Sequence, residues 1–312
     1  MVATILSSPS DTRPSRKIGL ALGSGAARGL AHIGVLRAIE EAGIHVDVVA
    51  GSSIGALIGA VFVAGNLERL AADFLAFDWK RVALLLDPVF PRTGLIDGKK
   101  VANFLRTYAP CANIENLSIP FRAVATDLAN GEEVTIGTGD LVEAVRASIA
   151  VPGLLTPARS DGRILVDGGL VNPVPVSVAR EMGANLIIAV DLSNEVLAHR
   201  LSRVKPAANE KRHADAVTHL LQHLQATENP MLAKFRAWLE AKPLPGILDV
   251  LLASLFITQA RITETTLRRD QPDILIQPPL GKVRFMDFDC AEEIIDIGYR
   301  SAVRQLATAQ QL

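Results

Sequence analysis

The chain has 312 residues and a mass of 33.3 kDa, with 49% hydrophobic and 21% charged residues and a net charge of -1. The hydrophobic content excludes a largely disordered chain, and the near-neutral charge argues against a nucleic-acid binder, which needs a basic excess. Two cysteines, Cys111 and Cys290, are too few for a disulfide framework or a thiolate metal site.

No apolar run reaches the ~20 residues that cross a bilayer. Residues 1–16 lack the charged start and long apolar core of a secretory signal, so they are interpreted as a flexible leader. We therefore expect a cytoplasmic protein, either free or peripheral to the membrane, in which residues 17–312 form one domain.

Predicted strands and helices alternate along the chain. Short apolar runs predict strands at residues 17–22, 46–50, 121–125, 133–136, 163–166, 185–190 and 273–276. Amphipathic or apolar stretches predict helices that end near residues 42 and 64, and helices over 141–149 and 291–306. Strands that are apolar on both faces and separated by helices indicate a three-layer αβα sandwich with a mostly parallel central sheet.

The region 194–270 differs from the rest because it has no strong strand and is mostly helical. We interpret it as a helical insertion or lid over the sheet. Within it, residues 244–257 are apolar apart from one Asp. This segment is too short to span a membrane, so it is either an interfacial helix in peripheral membrane contact or a buried helix, which is slightly favoured. His219 and His223 have no third ligand at a metal-site spacing, so no metal site is predicted.

The first chemical motif is a G-x-S-x-G sequence between a predicted strand and a predicted helix. It consists of Gly51, Ser52, Ser53, Ile54 and Gly55. A central serine in such a tight turn projects its hydroxyl from the sheet edge at a helix N-terminus, and flanking glycines permit the strained backbone. Small residues also suit an ordinary strand-to-helix turn, so the five residues alone are a weak signal. The position between a predicted strand and a predicted helix favours Ser53 as a nucleophile.

The second motif is the glycine-rich turn at residues 23–29 (GSGAARG), which follows the first strand. Free backbone N–H groups at a helix start bind anions, so the turn suits either a nucleotide phosphate or the oxyanion of an acyl intermediate. The spacing G-x-G-x-x-x-G differs from the dinucleotide fingerprint, and no Walker A sequence occurs. The oxyanion interpretation is therefore favoured.

The third motif, Asp167-Gly168-Gly169, follows a predicted strand and by itself would be an ordinary turn. An α/β-hydrolase places its catalytic histidine late in the chain, but no histidine follows residue 223 here. A Ser-His-Asp triad is therefore disfavoured. The simplest alternative is a Ser53–Asp167 dyad in which the carboxylate itself accepts the serine proton.

Together these motifs resemble the patatin-like phospholipase family, including the catalytic domain of neuropathy target esterase. The matching segments are LALGSGAARGLAHIGVLRAIEEAGI, DVVAGSSIGALIGA and LVDGGLVNPVPV. The resemblance implies Ser53 as the nucleophile between Gly51 and Gly55, and Asp167 as the base in a turn with Gly168 and Gly169. It also implies an oxyanion-hole turn made of Gly23, Gly25, Ala26, Ala27, Arg28 and Gly29.

The resemblance further implies a serine esterase of phospholipase or lysophospholipase type, with a lipid or lysophospholipid substrate and no cofactor. A non-catalytic regulatory or phosphate-binding module that uses the glycine-rich turn is the alternative. Patatins often carry three glycines where this chain has Ser24-Gly25-Ala26, a change that costs little if φ stays negative. Arg28 is interpreted either as orienting the turn or as a solvated arginine. The oligomeric state is left open.

Overall fold

The computed structural model describes residues 16–77, 87, 96–110, 113–194 and 247–309. Residues 1–15 of the predicted leader, His219, His223 and most of the predicted insertion lie outside these ranges. In the described part, eight strands form one mixed sheet in the order β5-β6-β3-β2-β1-β7-β8, with β4 paired to β3. The strands are β1 (Ile18–Leu22), β2 (Val48–Ser52), β3 (Phe121–Asp127), β4 (Glu133–Ile136), β5 (Ala158–Ser160), β6 (Arg163–Asp167), β7 (Leu186–Val190) and β8 (Ile274–Ile276).

The sheet has a parallel part and an antiparallel part. Neighbouring strands are parallel from β3 through β2, β1 and β7 to β8. The antiparallel part consists of β4, β5 and β6, because β4 and β6 both run against β3 and β5 forms a hairpin with β6. The predicted α/β fold class is confirmed, and the strand predicted at residues 163–166 belongs to the antiparallel part.

Helices cover both faces of the sheet. They are α1 (Ala31–Glu41), α2 (Ile54–Val63), α3 (Leu67–Leu75), α4 (Lys99–Arg106), α5 (Leu141–Ser148), α6 (Val176–Glu181), α7 (Ile247–Asp270) and α8 (Ala291–Ala309). The side chains of β1 pack alternately against helices on the two faces of the sheet, which gives three layers. Leu20 and Leu22 belong to a core cluster with α1, α2 and α8, whereas Ala21 belongs to a second cluster with α6. Alternate residues of a strand point to opposite faces, so the sheet is enclosed from both sides.

Several elements differ from the sequence-based expectation. The short helices α3, α4 and α6 and the strand β5 were not predicted. The glycine-rich turn leads into a 3-10 turn, Ala26–Leu30, before α1 begins. The apolar segment 244–257 contributes to α7, a 24-residue helix that continues to Asp270. Among the described residues, no helix combines the length and apolarity required to cross a bilayer.

Candidate active site

The position of the site follows from how β2 and β6 pair with β3. β2 pairs with the first part of β3, up to the Ser52–Val124 pair, and β6 pairs with the remainder, starting from Asp167–Ala125. β4 pairs with both parts of β3. Each strand has only two edges, so β2 and β6 must lie along the same edge of β3. They run toward each other, and their carboxyl ends meet where Ser53 and Asp167 are located.

Ser53 lies at a strained turn between β2 and α2. Its backbone has φ 55 and ψ -124, a conformation that is costly for a residue with a side chain. Its N–H donates to Ser148 Oγ at 2.9 Å, and that hydroxyl donates to the Val124 carbonyl at 2.5 Å. A Cβ atom at Gly55 would lie 2.1 Å from the Leu22 carbonyl oxygen, so only glycine allows the turn to approach β1 this closely.

Ser53 and Asp167 are in direct contact. Ser53 Oγ donates a hydrogen bond to Asp167 Oδ2 at 2.5 Å, and the Gly169 N–H donates to Oδ1 at 2.8 Å. Asp167 is fully buried and Ser53 is 7% exposed. Burial raises the pKa of Asp167 to about 6, and the two hydrogen bonds oppose this rise. In the described ranges, no imidazole hydrogen-bonds to either side chain.

The glycine-rich turn contributes two free N–H groups. The N–H groups of Gly23, Ser24 and Ala27 donate to backbone carbonyls. Those of Gly25 and Ala26 have no acceptor in the described part of the chain, and both residues line a cavity with Ser53. The turn therefore has two donors available for an oxyanion or another acceptor. From the sequence, the replacement of glycine by alanine in this turn is expected to cost little if φ is negative. Ala26 instead has a φ of 52, so the replacement strains the backbone.

The interpretation of Arg28 as a solvated residue is wrong. Arg28 is 3% exposed, and its guanidinium carbon lies 5.0 Å from the centre of the Phe256 ring on α7. Neither Arg28 nor Gly29 lines the cavity with Ser53. A Cβ atom at Gly29 would lie 2.2 Å from Ile54 Cγ1, so this glycine permits close packing between the turn and α2.

The sequence analysis did not identify His32 as part of the site. This α1 residue is fully buried, and its Nε2 lies 2.8 Å from the Gly23 carbonyl oxygen. A carbonyl only accepts, so Nε2 carries the proton and the ring holds the start of the glycine-rich turn. Burial lowers the pKa of His32 to about 4, so the ring is neutral. One sequence signal could have identified it: His32 is a polar residue on the inward face of a predicted helix.

An apolar cavity of about 160 Å³ opens beside Ser53 and Asp167. Among the described residues, six phenylalanines line it, although aromatic residues make up only 4% of the sequence. They are Phe74, Phe77, Phe104, Phe256, Phe285 and Phe288. No lysine or arginine is among its described lining residues. The cavity therefore suits an apolar group better than a phosphate.

The fold and this geometry define an α/β protein with a serine–carboxylate pair beside an apolar cavity. Residues 20–180, just over half of the chain, match the patatin-like phospholipase family. Together with the relatives described next, this match shows that the chain belongs to the patatin-like phospholipase family. Family membership supports lipid hydrolysis as the general function.

Two relatives illustrate the range of the family. The chain is 32% identical to the uncharacterized NTE family protein Rv1063c of Mycobacterium tuberculosis, over 94% of this chain and 92% of that protein. It is 30% identical to human patatin-like phospholipase domain-containing protein 6, over 91% of this chain but only 20% of that protein. Among solved structures, VipD from Legionella pneumophila aligns with a TM-score of 0.42 and 14% identity, over 95% of this chain and 67% of that one.

Proposed function

We propose that this protein is a serine esterase that cleaves fatty-acyl esters of lipids, with Ser53 as nucleophile and Asp167 as general base. The observation that carries the proposal is the 2.5 Å contact between Ser53 Oγ and a buried carboxylate. A base is most effective when its pKa is near the working pH, and burial brings the Asp167 pKa to about 6. The carboxylate therefore accepts a proton more readily than an exposed aspartate.

The reaction has two steps. In the first step, Asp167 takes the Ser53 hydroxyl proton as Oγ attacks the ester carbonyl, and the free N–H groups of Gly25 and Ala26 stabilise the oxyanion. The alcohol leaves with the proton from Asp167. In the second step, a water attacks the acyl-serine while Asp167 takes its proton, and that proton passes to Ser53 Oγ as the fatty acid leaves.

The apolar cavity supports an acyl chain as the part of the substrate that is buried. Its lining is almost entirely aliphatic and aromatic, and burial of each methylene contributes about 0.8 kcal/mol. Lysophospholipids and diacyl lipids both carry such chains, so the cavity is compatible with either class.

The phosphate-binding alternative has less support. Three N–H groups of the glycine-rich turn already donate to backbone carbonyls, and the described cavity lining contains no cationic side chain. A phosphate site normally combines several free N–H groups with a lysine or arginine.

The proposal is tested with a fluorophosphonate probe and a p-nitrophenyl ester. We expect Ser53→Ala to abolish labelling, and both Ser53→Ala and Asp167→Asn to lower kcat by about 10³-fold or more. Asp161→Asn is the matched control, because Asp161 is an exposed residue of the hairpin between β5 and β6. Activity near the wild-type level in Ser53→Ala or Asp167→Asn would exclude the dyad, and nucleotide binding without probe labelling would favour the alternative.

We also propose peripheral contact between α7 and a lipid surface. Leu255 and Phe256 line the cavity, whereas Val250, Leu251 and Ile257 are 47%, 55% and 47% exposed. Helix α7 therefore has apolar side chains in the cavity and others exposed at its surface, and the exposed ones support the proposed contact. We expect Val250→Asp/Leu251→Asp to reduce liposome cosedimentation while hydrolysis of a water-soluble ester is kept. Unchanged liposome binding would exclude this contact.

A further inference from the structure

Gln259 on α7 is a polar residue of the cavity with no assigned role. It is 7% exposed and lines the cavity beside Ser53, although α7 lies beyond residues 20–180 that match the family. In the described part of the chain, its side-chain amide makes no hydrogen bond, whereas its backbone carbonyl accepts one from Thr263 Oγ1. The amide is not among the polar groups that are buried without a partner, so it faces the open cavity and is available to a ligand.

The other polar side chains among the described lining residues of the cavity have hydrogen-bond partners. Ser53 and Asp167 bind each other, and Ser24 Oγ donates to Ser52 Oγ at 3.2 Å. A ligand that fills the cavity excludes water from this amide, so a ligand that supplies an acceptor binds better than one that leaves the amide unpaired. The arrangement therefore suits recognition of an oxygen atom on a ligand in the cavity.

The position of Gln259 indicates which part of the substrate it contacts. A Cβ atom at Gly169 would lie 2.4 Å from Gln259 Nε2, 2.6 Å from Ser24 Oγ and 2.9 Å from Asp167 Oδ1. These three polar atoms therefore surround the same face of Gly169. The Gln259 amide thus lies on the side of the site where Asp167 is located.

The proton transfer from Asp167 indicates which part of the substrate lies beside Asp167 and Gln259. The acid that protonates the departing alcohol must be within hydrogen-bond reach of its oxygen. In the proposed reaction this acid is Asp167, so the alcohol portion of the ester occupies the region next to Asp167 and Gln259. The acyl chain occupies the apolar region lined by the phenylalanines.

We propose that the Gln259 side-chain amide donates a hydrogen bond to a second oxygen on the alcohol portion of the substrate. This inference rests on the proposed esterase function and assigns it a specificity-determining residue: Gln259 favours esters whose alcohol portion carries a further oxygen over simple alkyl or aryl esters. A site that hydrogen-bonds a substrate oxygen rejects analogues without that oxygen, because the buried amide then stays unpaired.

The experiment compares two esters with the same acyl chain, 1-decanoylglycerol and phenyl decanoate, whose alcohol portion has no further oxygen. We expect Gln259→Met to lower kcat/KM for the glycerol ester by about 10- to 100-fold and for the phenyl ester by less than about 3-fold. Gln259→Asn, which keeps a shorter amide, should lose less on the glycerol ester. The melting temperature of Gln259→Met should stay close to that of the wild type, because the substitution removes no side-chain hydrogen bond within the described part of the protein.

Thr258→Met is the matched control, because Thr258 is an exposed neighbour on the same helix, and it should preserve both activities. Equal losses on both esters, or no loss on either, would overturn the assignment of Gln259 while leaving the esterase proposal intact. A wild-type protein that hydrolyses neither ester and resists the fluorophosphonate probe would overturn the esterase proposal, and this assignment with it.

Discussion

At the scale of single residues, burial changes the chemistry of two ionisable side chains in opposite directions. Asp167 has its pKa raised to about 6, whereas His32 has its pKa lowered to about 4. In both cases the charged form is disfavoured because few water molecules or counter-charges surround it. The consequence is a carboxylate suited to accept a proton and a neutral imidazole that holds the Gly23 carbonyl.

The pKa of Asp167 predicts the pH dependence of catalysis. Only the ionised carboxylate can accept the Ser53 proton, so kcat/KM for a p-nitrophenyl ester should rise with pH through a midpoint near 6 and level off above it. The profile is measured with substrate well below KM. A rate that is constant between pH 5 and 7 would contradict this role for Asp167.

Ala26 predicts a stabilising substitution at the site. Its φ of 52 lies in the left-handed region, which is unfavourable for alanine and accessible to glycine. Ala26→Gly should raise the free energy of unfolding by about 1 kcal/mol and keep the esterase activity, as measured by urea denaturation. Ala27→Gly is the control, because Ala27 lacks a positive φ and should lose about 1 kcal/mol instead. Equal effects of the two substitutions would contradict the strain at Ala26.

At the scale of elements, strand pairing and helix placement bring distant segments together. β2 and β6 meet end to end along β3, so the contact between Ser53 and Asp167 depends on an antiparallel pairing within a largely parallel sheet. α7 adds Phe256 and Gln259 to the same cavity from a position more than 80 residues beyond Asp167. Helix α4 adds Phe104 to an aromatic cluster with Phe74 and Phe77.

This aromatic cluster predicts acyl-chain preference. Phe104 lines the cavity, and its ring centre lies 6.2 Å from that of Phe74 and 5.7 Å from that of Phe77. Phe104→Ala should enlarge the cavity and shift the preferred p-nitrophenyl ester to a longer acyl chain. Leu105→Ala is the control: Leu105 is buried outside the cavity, so its loss should destabilise the fold by about 2–5 kcal/mol without changing chain preference. The same chain preference in Phe104→Ala and wild type would contradict an acyl-chain role for the cavity.

At the scale of the whole molecule, Asp167 and His32 have opposite effects on stability. Folded Asp167 holds its proton up to about pH 6 but loses it near 3.8 when unfolded, so its contribution to stability is lost as pH rises through this window. Folded His32 stays neutral down to about pH 4 but titrates near 6.5 when unfolded, so its contribution is lost as pH falls. The two effects largely cancel between pH 4 and 6.

Substitution of Asp167 should therefore reveal the pH dependence of stability that comes from His32. Asp167→Asn should gain stability relative to the wild type as pH rises from 4 to 7, by up to about 3 kcal/mol, while losing activity. The variant should also be more sensitive to acid, because the His32 contribution is no longer opposed. Urea denaturation at several pH values measures both trends. A stability difference that does not vary with pH would contradict the raised pKa of Asp167.

Local sequence signals predicted most of the central strands, the αβα class and the motifs at Ser53, Asp167 and the glycine-rich turn. These features depend on short-range properties: apolar runs, glycines at tight turns and the absence of histidine after residue 223. The Ser53–Asp167 pair was predicted by elimination, and the structure brings the two side chains into contact. Their catalytic roles stay predictions.

The sequence by itself determined most of the central strands, several of the helices around them and the positions of the serine, aspartate and glycine-rich motifs, because periodicity and turn residues act over a few neighbouring positions. Only the tertiary structure decided that β6 runs antiparallel to β3, that Ala26 adopts a positive φ, and that His32 and Gln259 join the site. These features depend on strand pairing and burial between residues that are far apart in the chain. No local pattern of residues specifies such contacts.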